Sequence, residues 1–166
     1  VRVYLRNNTN PYSIVDSAAA VINATTFTGT FCFNYAPTGT YYLQVRQRNH
    51  LETWSKSGGE SYTAGSVNSF DFTTSSSQAY GSNQILSGSK YCMYGGDVAG
   101  GISSGEIYNY QDGSIDAADL SAIDNDALNS LSGYYPSDVT GDDFVDSGDL
   151  SITDNNSLLS VFTARP

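Results

Sequence analysis

The sequence predicts a mainly β protein with a small α-helical module: an antiparallel β-sandwich over residues 1–90, then a pair of loop–helix units over residues 91–166. Short alternating apolar and polar stretches, separated by Gly, Pro and Asn clusters, predict the strands. Aspartates at a repeated spacing predict the second part. The net charge also divides there, from +2 (six Lys/Arg, four Asp/Glu) to −12 (one Arg, thirteen Asp/Glu), which indicates two modules.

Strand periodicity marks four stretches of the first part: residues 1–6, 27–33, 40–48 and 69–73. Residues 12–24 are β-branched in places, with an ambiguous middle at residues 16–20. The Gly pair within residues 57–59 ends the strand before it. Short strands with turn residues between them are typical of an antiparallel sandwich. The first strand, residues 1–6, is a candidate edge strand that a neighbouring molecule could complete.

Two neighbouring stretches in this part resemble a known hairpin. Gly29-Thr-Phe-Cys-Phe-Asn is followed by Pro37-Thr-Gly-Thr-Tyr-Tyr-Leu-Gln-Val. Together they are similar to the hairpin of carboxypeptidase regulatory-like, transthyretin-like β-sandwiches. The resemblance covers residues 1 to about 75 and implies a non-catalytic fold.

The acidic run at residues 138–149 has the spacing of an EF-hand-type calcium loop. Acidic residues occupy positions 1, 5, 9 and 12 of this twelve-residue window. Oxygen atoms at these intervals can surround a hard cation. The predicted ligands are the side chains of Asp138, Thr140, Asp142 and Asp149, the carbonyl of Phe144, and Asp146 through a water.

The same pattern occurs thirty residues earlier, so the segment is duplicated. Residues 112–128 and 142–158 share eight identities in seventeen positions, including Asp112, Asp116 and Asp119 with their counterparts Asp142, Asp146 and Asp149. Two tandem loop–helix units with Asp at position 12 resemble a dockerin type I module. The resemblance implies two bound Ca2+ ions and a calcium-stabilised fold.

The first loop departs from the pattern, because counting back from Asp112 places tyrosines at positions 1 and 3. Asp97 and Val98 match Asp138 and Val139 instead, at a separation of 41 residues rather than 30. We therefore expect an 11-residue insertion near residues 99–109, which requires Asp97 to lie close to Asp119. The predicted ligands of the first site are Asp97, Asp112, the Ser114 carbonyl, Asp116 and Asp119.

A helix is predicted after each loop, over residues 117–130 and 148–161. Each has an apolar stripe that needs to pack against its twin. The stripe residues are Leu120, Ile123, Leu128 and Leu131 in the first unit, and Leu150, Leu158, Leu159 and Phe162 in the second.

Composition excludes several classes of function. No run of about 18 apolar residues predicts a membrane span, and no basic stripe predicts nucleic-acid binding. No catalytic set is evident, and the single histidine, His50, predicted to be a surface residue at a strand end, cannot build a His-rich zinc site. We therefore expect a non-catalytic protein. A chain that opens in a strand, with no initiating Met, is expected to be a mature piece of a longer precursor.

Low charge and many Tyr, Ser, Thr and Asn residues are typical of secreted proteins, so we expect an extracellular or cell-surface bacterial protein. Cys32 and Cys92 either form one disulfide or remain two thiols. Three Asn sites (Asn7, Asn23 and Asn155) match the N-glycosylation pattern, and Asp16-Ser-Ala18 resembles an O-glycosylation site of some Bacteroidetes secreted proteins. Trp54, Tyr41, Tyr42 and Tyr62 form either a sugar-stacking platform or part of the core.

Three functions remain open at this point. The first is a structural subunit of an extracellular fibre or surface layer that self-associates through edge strands and module faces. The second is a dockerin-type adaptor that binds a cohesin. The third is a carbohydrate-binding accessory module with glycans as partners.

Overall fold

The computed structural model describes residues 1–101 and 110–166, which form two compact units. The first unit comprises Val1–Arg46, Thr53–Cys92 and Ala164–Pro166. The second comprises Gln47–Glu52 and Met93–Thr163. A six-residue piece of the first sequence half therefore belongs to the unit that carries the acidic loops.

The larger sheet has five strands, in the order β2-β1-β3-β4, with β5 paired to β3. The strands are β1 (Arg2–Asn7), β2 (Ile14–Ala19), β3 (Gly39–Gln47), β4 (His50–Trp54) and β5 (Glu60–Tyr62). β1 pairs antiparallel with both β2 and β3, and β5 pairs antiparallel with β3.

The alternation of residues 1–6 sets the face of β1 that is buried. Val3 and Leu5 are 7% and 0% exposed, and they lie opposite Val45 and Leu43 of β3. Leu5 packs with Tyr41 and other apolar side chains in the core of the first unit. Burying one such leucine stabilises the fold by about 2 kcal/mol.

The expectation that residues 1–6 form an edge strand is wrong. β1 has β2 on one side and β3 on the other, so its backbone is paired along both edges. β2 follows β1 after a short turn and folds back onto it, and β2 itself therefore lies at the edge of the sheet.

The strand predicted at residues 27–33 is instead irregular chain that follows a turn at residues 24–26. The Asn23 side-chain oxygen accepts the N–H groups of Thr25 and Thr26. The amide of Phe27 donates to the Asn23 carbonyl, and Phe27 has a φ of +57°. Asn side chains stabilise such turns by bonding to nearby amides, and here that chemistry overrides the alternation of residues 27–33. The segment Gly29-Thr-Phe-Cys-Phe-Asn, which resembles the first strand of a known hairpin, therefore forms no strand here.

The strand predicted at residues 69–73 is also wrong. Asp71 accepts hydrogen bonds from the amide and hydroxyl of Thr73, both at 2.7 Å, which holds a turn. The rings of Phe70 and Phe72 lie edge to face, with centroids 4.7 Å apart.

A second antiparallel sheet, which the sequence does not predict, is formed by β6 (Ile85–Ser87) and β7 (Lys90–Cys92). Two short 3-10 turns, Ser76–Gln78 and Tyr80–Ser82, precede it. Cys32 and Cys92 are free thiols, so the second of the two alternatives for these cysteines is the one observed.

Two helices, α1 (Ala117–Leu128) and α2 (Ser147–Leu158), lie thirty residues apart in the sequence and have equal length. This confirms the two predicted helices, each two or three residues shorter at its C-terminal end. Ser130 and Ser160, with φ of +51° and +53°, end the two units in the same conformation. Such left-handed residues commonly terminate helices.

The two apolar stripes are only partly buried, which corrects the predicted packing. Ile123 is fully buried, together with valines from the loops, against Leu131 and Leu150. Four predicted stripe residues are instead largely exposed: Leu128, Leu158, Leu159 and Phe162. The loop residues Val98, Val139 and Val145 complete this core in their place.

The fold class is thus confirmed at its coarser level: the described chain is mainly β, in antiparallel sheets, with two small helices. Within the described residues, no helix has the length and apolarity needed to cross a membrane.

Candidate metal centre

Each helix begins with the same pair of aspartates. Asp116 and Asp146 are the N-caps, with nearly identical backbone angles (φ −148° in both, ψ −161° and −162°). Each forms a reciprocal capping box with the aspartate three residues later, Asp119 or Asp149. Capping boxes satisfy backbone donors that a helix leaves unpaired at its start, so positions 9 and 12 of each loop are fixed by the helix that follows.

The position-12 aspartates also reach back to the head of their own loops. Asp119 Oδ1 accepts the amides of Val98 and Ala99 at 2.7 and 2.8 Å. Asp149 Oδ1 accepts the amide of Thr140 at 2.8 Å. Both carboxylates are buried, at 1% and 0% exposure. The structure therefore places the chain after Asp97 against Asp119, as the insertion hypothesis requires.

The position-1 aspartates, Asp97 and Asp138, are buried at 1% exposure each. Asp138 Oδ1 accepts the amides of Gly141 and Asp142 at 2.7 and 3.2 Å. Asp97 likewise accepts backbone hydrogen bonds from Asp112 and Gly113. Both residues therefore turn their carboxylates toward position 5 of the same loop.

The first loop concentrates negative charge. Burial, then the neighbouring carboxylates of Asp119 and Asp112, raise the pKa of Asp97 to about 8, although two backbone amides oppose the shift. Burial also raises the pKa of Asp119. Among the described residues, Asp97 Oδ1 is buried without a hydrogen-bond partner. A buried, unpaired carboxylate oxygen is costly unless a cation or donor approaches it.

Position 5 is built identically in the two loops. Asp112 Oδ1 accepts the amide of Ser114 at 2.9 Å, and Asp142 Oδ1 accepts the amide of Phe144 at 3.0 Å. Both position-5 side chains are exposed. They therefore lie on the outer side of their loops, whereas positions 1 and 12 lie on the buried side.

Position 7 of each loop pairs with the segment that follows the other helix. Ser114 bridges Phe162, and Phe144 bridges Ser132. The flanking bonds also correspond: Ile115 N donates to Val161 O and Val145 N donates to Leu131 O, both at 3.0 Å. Because the flanking residues form these bonds, the carbonyls of Ser114 and Phe144 face their own loops rather than the paired segment. This is the orientation that a carbonyl ligand needs.

The extra residues of the first loop begin after Gly100. Gly100 and Gly141 occupy corresponding places with φ of +82° and +79°. Gly100 forms a bridge with Gln111, and Gly101 N donates to Tyr110 O at 2.7 Å. The insertion is thus closed at its base and spans residues 101–111, two residues later than the range predicted from the sequence. Residues 102–109 lie outside the described part of the chain.

Position 6 has a left-handed backbone in both loops. Gly113 has a φ of +85°, and Asp143 adopts a φ of +72° at the same place in the second loop. This left-handed conformation favours glycine. Asp143 therefore carries some strain, of about 1 kcal/mol.

Three further residues at this centre are not predicted by the sequence analysis. Arg48 Nη2 lies 3.2 Å from Asp138 Oδ2, and the Asn49 amide donates to the Asp138 carbonyl. Gln111 Nε2 donates to the carbonyls of Asp97, Gln47 and His50. Arg48 and Asn49 lie about 90 positions from Asp138, and a spacing rule for one loop carries no signal for such partners.

The helices also hold the chain that enters each loop. Asn156 of α2 donates to Gly95 O at 2.7 Å, just before Asp97. Asp126 of α1 accepts from the Ser137 hydroxyl at 2.5 Å, just before Asp138. Asn156 and Asp126 are thirty residues apart, so an alignment of the two repeats offers a signal for this pair.

The arrangement suits a hard divalent cation. Each loop offers carboxylates, a carbonyl and hydroxyl or water positions, and Ca2+ takes roughly six to eight such oxygens. Among the described residues no cluster of three or more His, Cys, Asp or Glu side chains forms a closed metal-binding group. That finding does not bear on calcium loops, because they draw several ligands from carbonyls and water.

Three of the four aromatic side chains considered as a sugar-stacking platform are buried. Trp54, Tyr41 and Tyr42 are 5–6% exposed. Trp54 packs edge-on against Tyr42 and Tyr12, with ring centroids 5.8 and 6.4 Å away. The core alternative is therefore the one observed for these residues. Their rings are not exposed for stacking against a sugar. His50 is half-buried, not a surface residue as predicted.

No family model, curated protein or solved structure matches this chain.

Proposed function

We propose that the protein is a non-catalytic, calcium-stabilised structural protein of the extracellular space, whose second unit is a dockerin-like pair of calcium loops. One observation carries the proposal: two loops of different length have the same hydrogen bonds at positions 5, 9 and 12. A conserved framework around two buried carboxylates per loop is what a pair of cation sites requires.

A catalytic role is not proposed, because the aspartates hold the backbone of their own loops in place. Those at positions 5, 9 and 12 accept backbone amides of their own loop. General acid or base catalysis needs a carboxyl group within reach of a substrate proton. Carboxylates that accept hydrogen bonds from loop amides are better suited to binding a metal ion than to transferring a proton.

Self-association into a fibre or surface layer is proposed through the sheet edge and the exposed apolar side chains. β2 has a pairing partner on one side of the sheet path, β1. Ile14, Val21, Tyr35 and Val67 of the first unit are 50–99% exposed. Edge backbone groups with apolar neighbours are a template for pairing with another chain.

The proposal is tested by two measurements on the intact chain. Removing calcium with EDTA should lower the melting temperature by about 10 °C or more, because a site saturated a thousandfold above its Kd contributes about 4 kcal/mol. Electron microscopy of the native material should show filaments or sheets. An unchanged melting curve would contradict the calcium role, and monomers alone would contradict the structural role.

One observation favours the adaptor as the second candidate. Leu128 and Leu158 occupy the same place at the ends of α1 and α2 and are 76% and 75% exposed. Matched exposed leucines on duplicated helices suit a protein partner better than solvent. A pull-down with cohesins, with Leu128→Gln plus Leu158→Gln as the comparison, tests this role. Capture of the unchanged chain but not the variant would favour the adaptor over the structural subunit.

A further inference from the structure

The two loops differ in the charge that lies beside the aspartate at position 1. The backbone carbonyl of each of these aspartates accepts a side-chain amide. Asn49 donates to the carbonyl of Asp138, and Gln111 donates to the carbonyl of Asp97. The Asp138 carboxylate also has a guanidinium at 3.2 Å, from Arg48. Among the described residues, no cationic side chain forms an ion pair with Asp97.

Arg48 is held where it is by several contacts. Its Nε donates to Tyr135 O at 2.9 Å, and its Nη2 donates to Asp138 O at 3.1 Å. The guanidinium also lies 4.0 Å from the ring centre of Tyr134. The side chain is 12% exposed. Charge-assisted bonds and stacking fix an arginine more firmly than an ion pair alone, so its charge stays beside Asp138 when a cation enters the second loop.

A fixed positive charge acts on a cation site in two ways. It repels the incoming cation, and it already neutralises one carboxylate that the cation would otherwise stabilise. The first loop lacks both effects and also holds the buried, unpartnered Asp97 Oδ1. From these charge effects, we expect a divalent cation to gain more free energy on entering the first loop than on entering the second, at a pH where Asp97 is ionised.

We propose that Arg48 makes the two calcium sites unequal, so that the first loop fills at low calcium and the second fills at higher calcium and responds to its concentration. This inference rests on the proposed calcium binding. The first loop then stabilises the second unit permanently. The second loop reports the calcium concentration outside the cell.

The test is a calorimetric calcium titration of the intact chain, starting from chelated protein. The unchanged chain should bind two ions in two separated steps. Asp97→Asn should remove the tighter step, and Asp138→Asn should remove the weaker one. Arg48→Met should tighten the weaker step by on the order of tenfold and leave the tighter step within about twofold.

Two further variants separate charge from structure. Arg48→Lys keeps the charge, so the weaker step should stay close to that of the unchanged chain. Lys56→Met removes one positive charge from a side chain that lies in the first unit and pairs with Glu60, so neither step should move. If Arg48→Met and Arg48→Lys both weaken the second step, Arg48 supports the loop and the inference is overturned.

The outcomes for calcium binding and for inequality are distinct. Two ions bound with equal affinity would overturn the inference and leave the calcium proposal standing. A tighter second loop would do the same. Absence of any bound calcium would overturn the proposed function itself.

Discussion

Gly96 shows at the scale of one residue how closely the first loop packs on the helix of the second repeat. It has a φ of +118°, and a Cβ at this position would lie 2.8 Å from Thr153 Oγ1. Both the conformation and the space therefore require glycine. Thr153 is fully buried, so its side chain has little room to move away.

We predict that Gly96→Ala lowers the free energy of unfolding by about 2–4 kcal/mol, from strain and steric overlap together. Gly133→Ala is the matched control, because Gly133 has a φ of +100° with nothing within 4 Å of its added Cβ. The control should lose about half as much or less. Urea unfolding of both variants in saturating calcium measures the difference, and equal losses would contradict the steric argument.

His50 gives a dependence on pH. Burial, and then the nearby Arg48 charge, lower the pKa of His50 to about 4. His50 therefore binds a proton near pH 6.5 in the unfolded chain but stays neutral in the folded chain down to about pH 4. The free energy of unfolding consequently falls as the pH falls from about 6.5 toward 4. The loss between pH 7 and pH 5 is about 2 kcal/mol.

We predict that His50→Gln removes this part of the acid sensitivity. Gln retains a side-chain donor for Gln47 and Asn49, the partners of His50 Nδ1. Urea unfolding at pH 7 and pH 5 should show a smaller loss for the variant by about 2 kcal/mol. The same loss in both proteins would mean that His50 protonates freely in the folded state.

At the scale of the helices, the buried and exposed leucine and isoleucine positions should behave differently. Ile123 is fully buried, whereas Leu128 is 76% exposed. We predict that Ile123→Ala costs about 2–4 kcal/mol of stability, whereas Leu128→Gln changes it by about 0.5 kcal/mol or less. A large loss for Leu128→Gln would show that the predicted stripe is buried after all.

The edge strand β2 offers a test of self-association. Val1 and Ala20 exchange two backbone hydrogen bonds of 3.0 Å. Because such pairs alternate with non-bonded ones, the N–H of Ala19 points away from β1 toward the free edge. Proline lacks this donor and is tolerated on edge strands.

We predict that Ala19→Pro prevents assembly while leaving the fold and its melting temperature nearly unchanged. Ala19→Thr keeps the donor and is the control. Sedimentation and electron microscopy of the two variants provide the measurement. Assembly by the proline variant at the rate of the control would exclude β2 as the pairing edge.

The sequence predicts elements well where local chemistry decides them. The predicted helix starts agree with the structure to within one residue, and there Asp116 and Asp146 cap the helices through contacts between residues three apart. The strand prediction at residues 27–33 fails because alternation cannot show that Asn23 folds the preceding chain into a turn. Which strand lies at the edge depends on pairing across the sheet, which periodicity does not encode.

At the scale of the whole molecule, the repeat predicts the candidate site and long-range contacts complete it. The separation of 41 residues places Asp97 beside Asp119, as the contacts of Val98 and Ala99 show. The contribution of Arg48 could not be predicted, because Arg48 lies outside either repeat and about 90 residues from its partner Asp138. Spacing identifies ligands within a loop, whereas the charges around the loop arise from the fold.

The net charge of residues 91–166 is one argument for the proposed calcium binding. Residues 91–166 contain one Arg and thirteen Asp/Glu, a net of −12. Self-repulsion of this size destabilises a compact unit unless bound cations offset it. The two proposed calcium ions would supply four positive charges at the most deeply buried carboxylates.

The most direct measurement is an anomalous difference map, recorded at long wavelength, from crystals of the intact chain grown in calcium. We predict two peaks, one bounded by Asp97, Asp112 and Asp119 and the other by Asp138, Asp142 and Asp149. Each peak should lie about 2.3–2.6 Å from its oxygen ligands. A map without a peak in either loop, at a calcium concentration that saturates known calcium loops, would contradict the central claim.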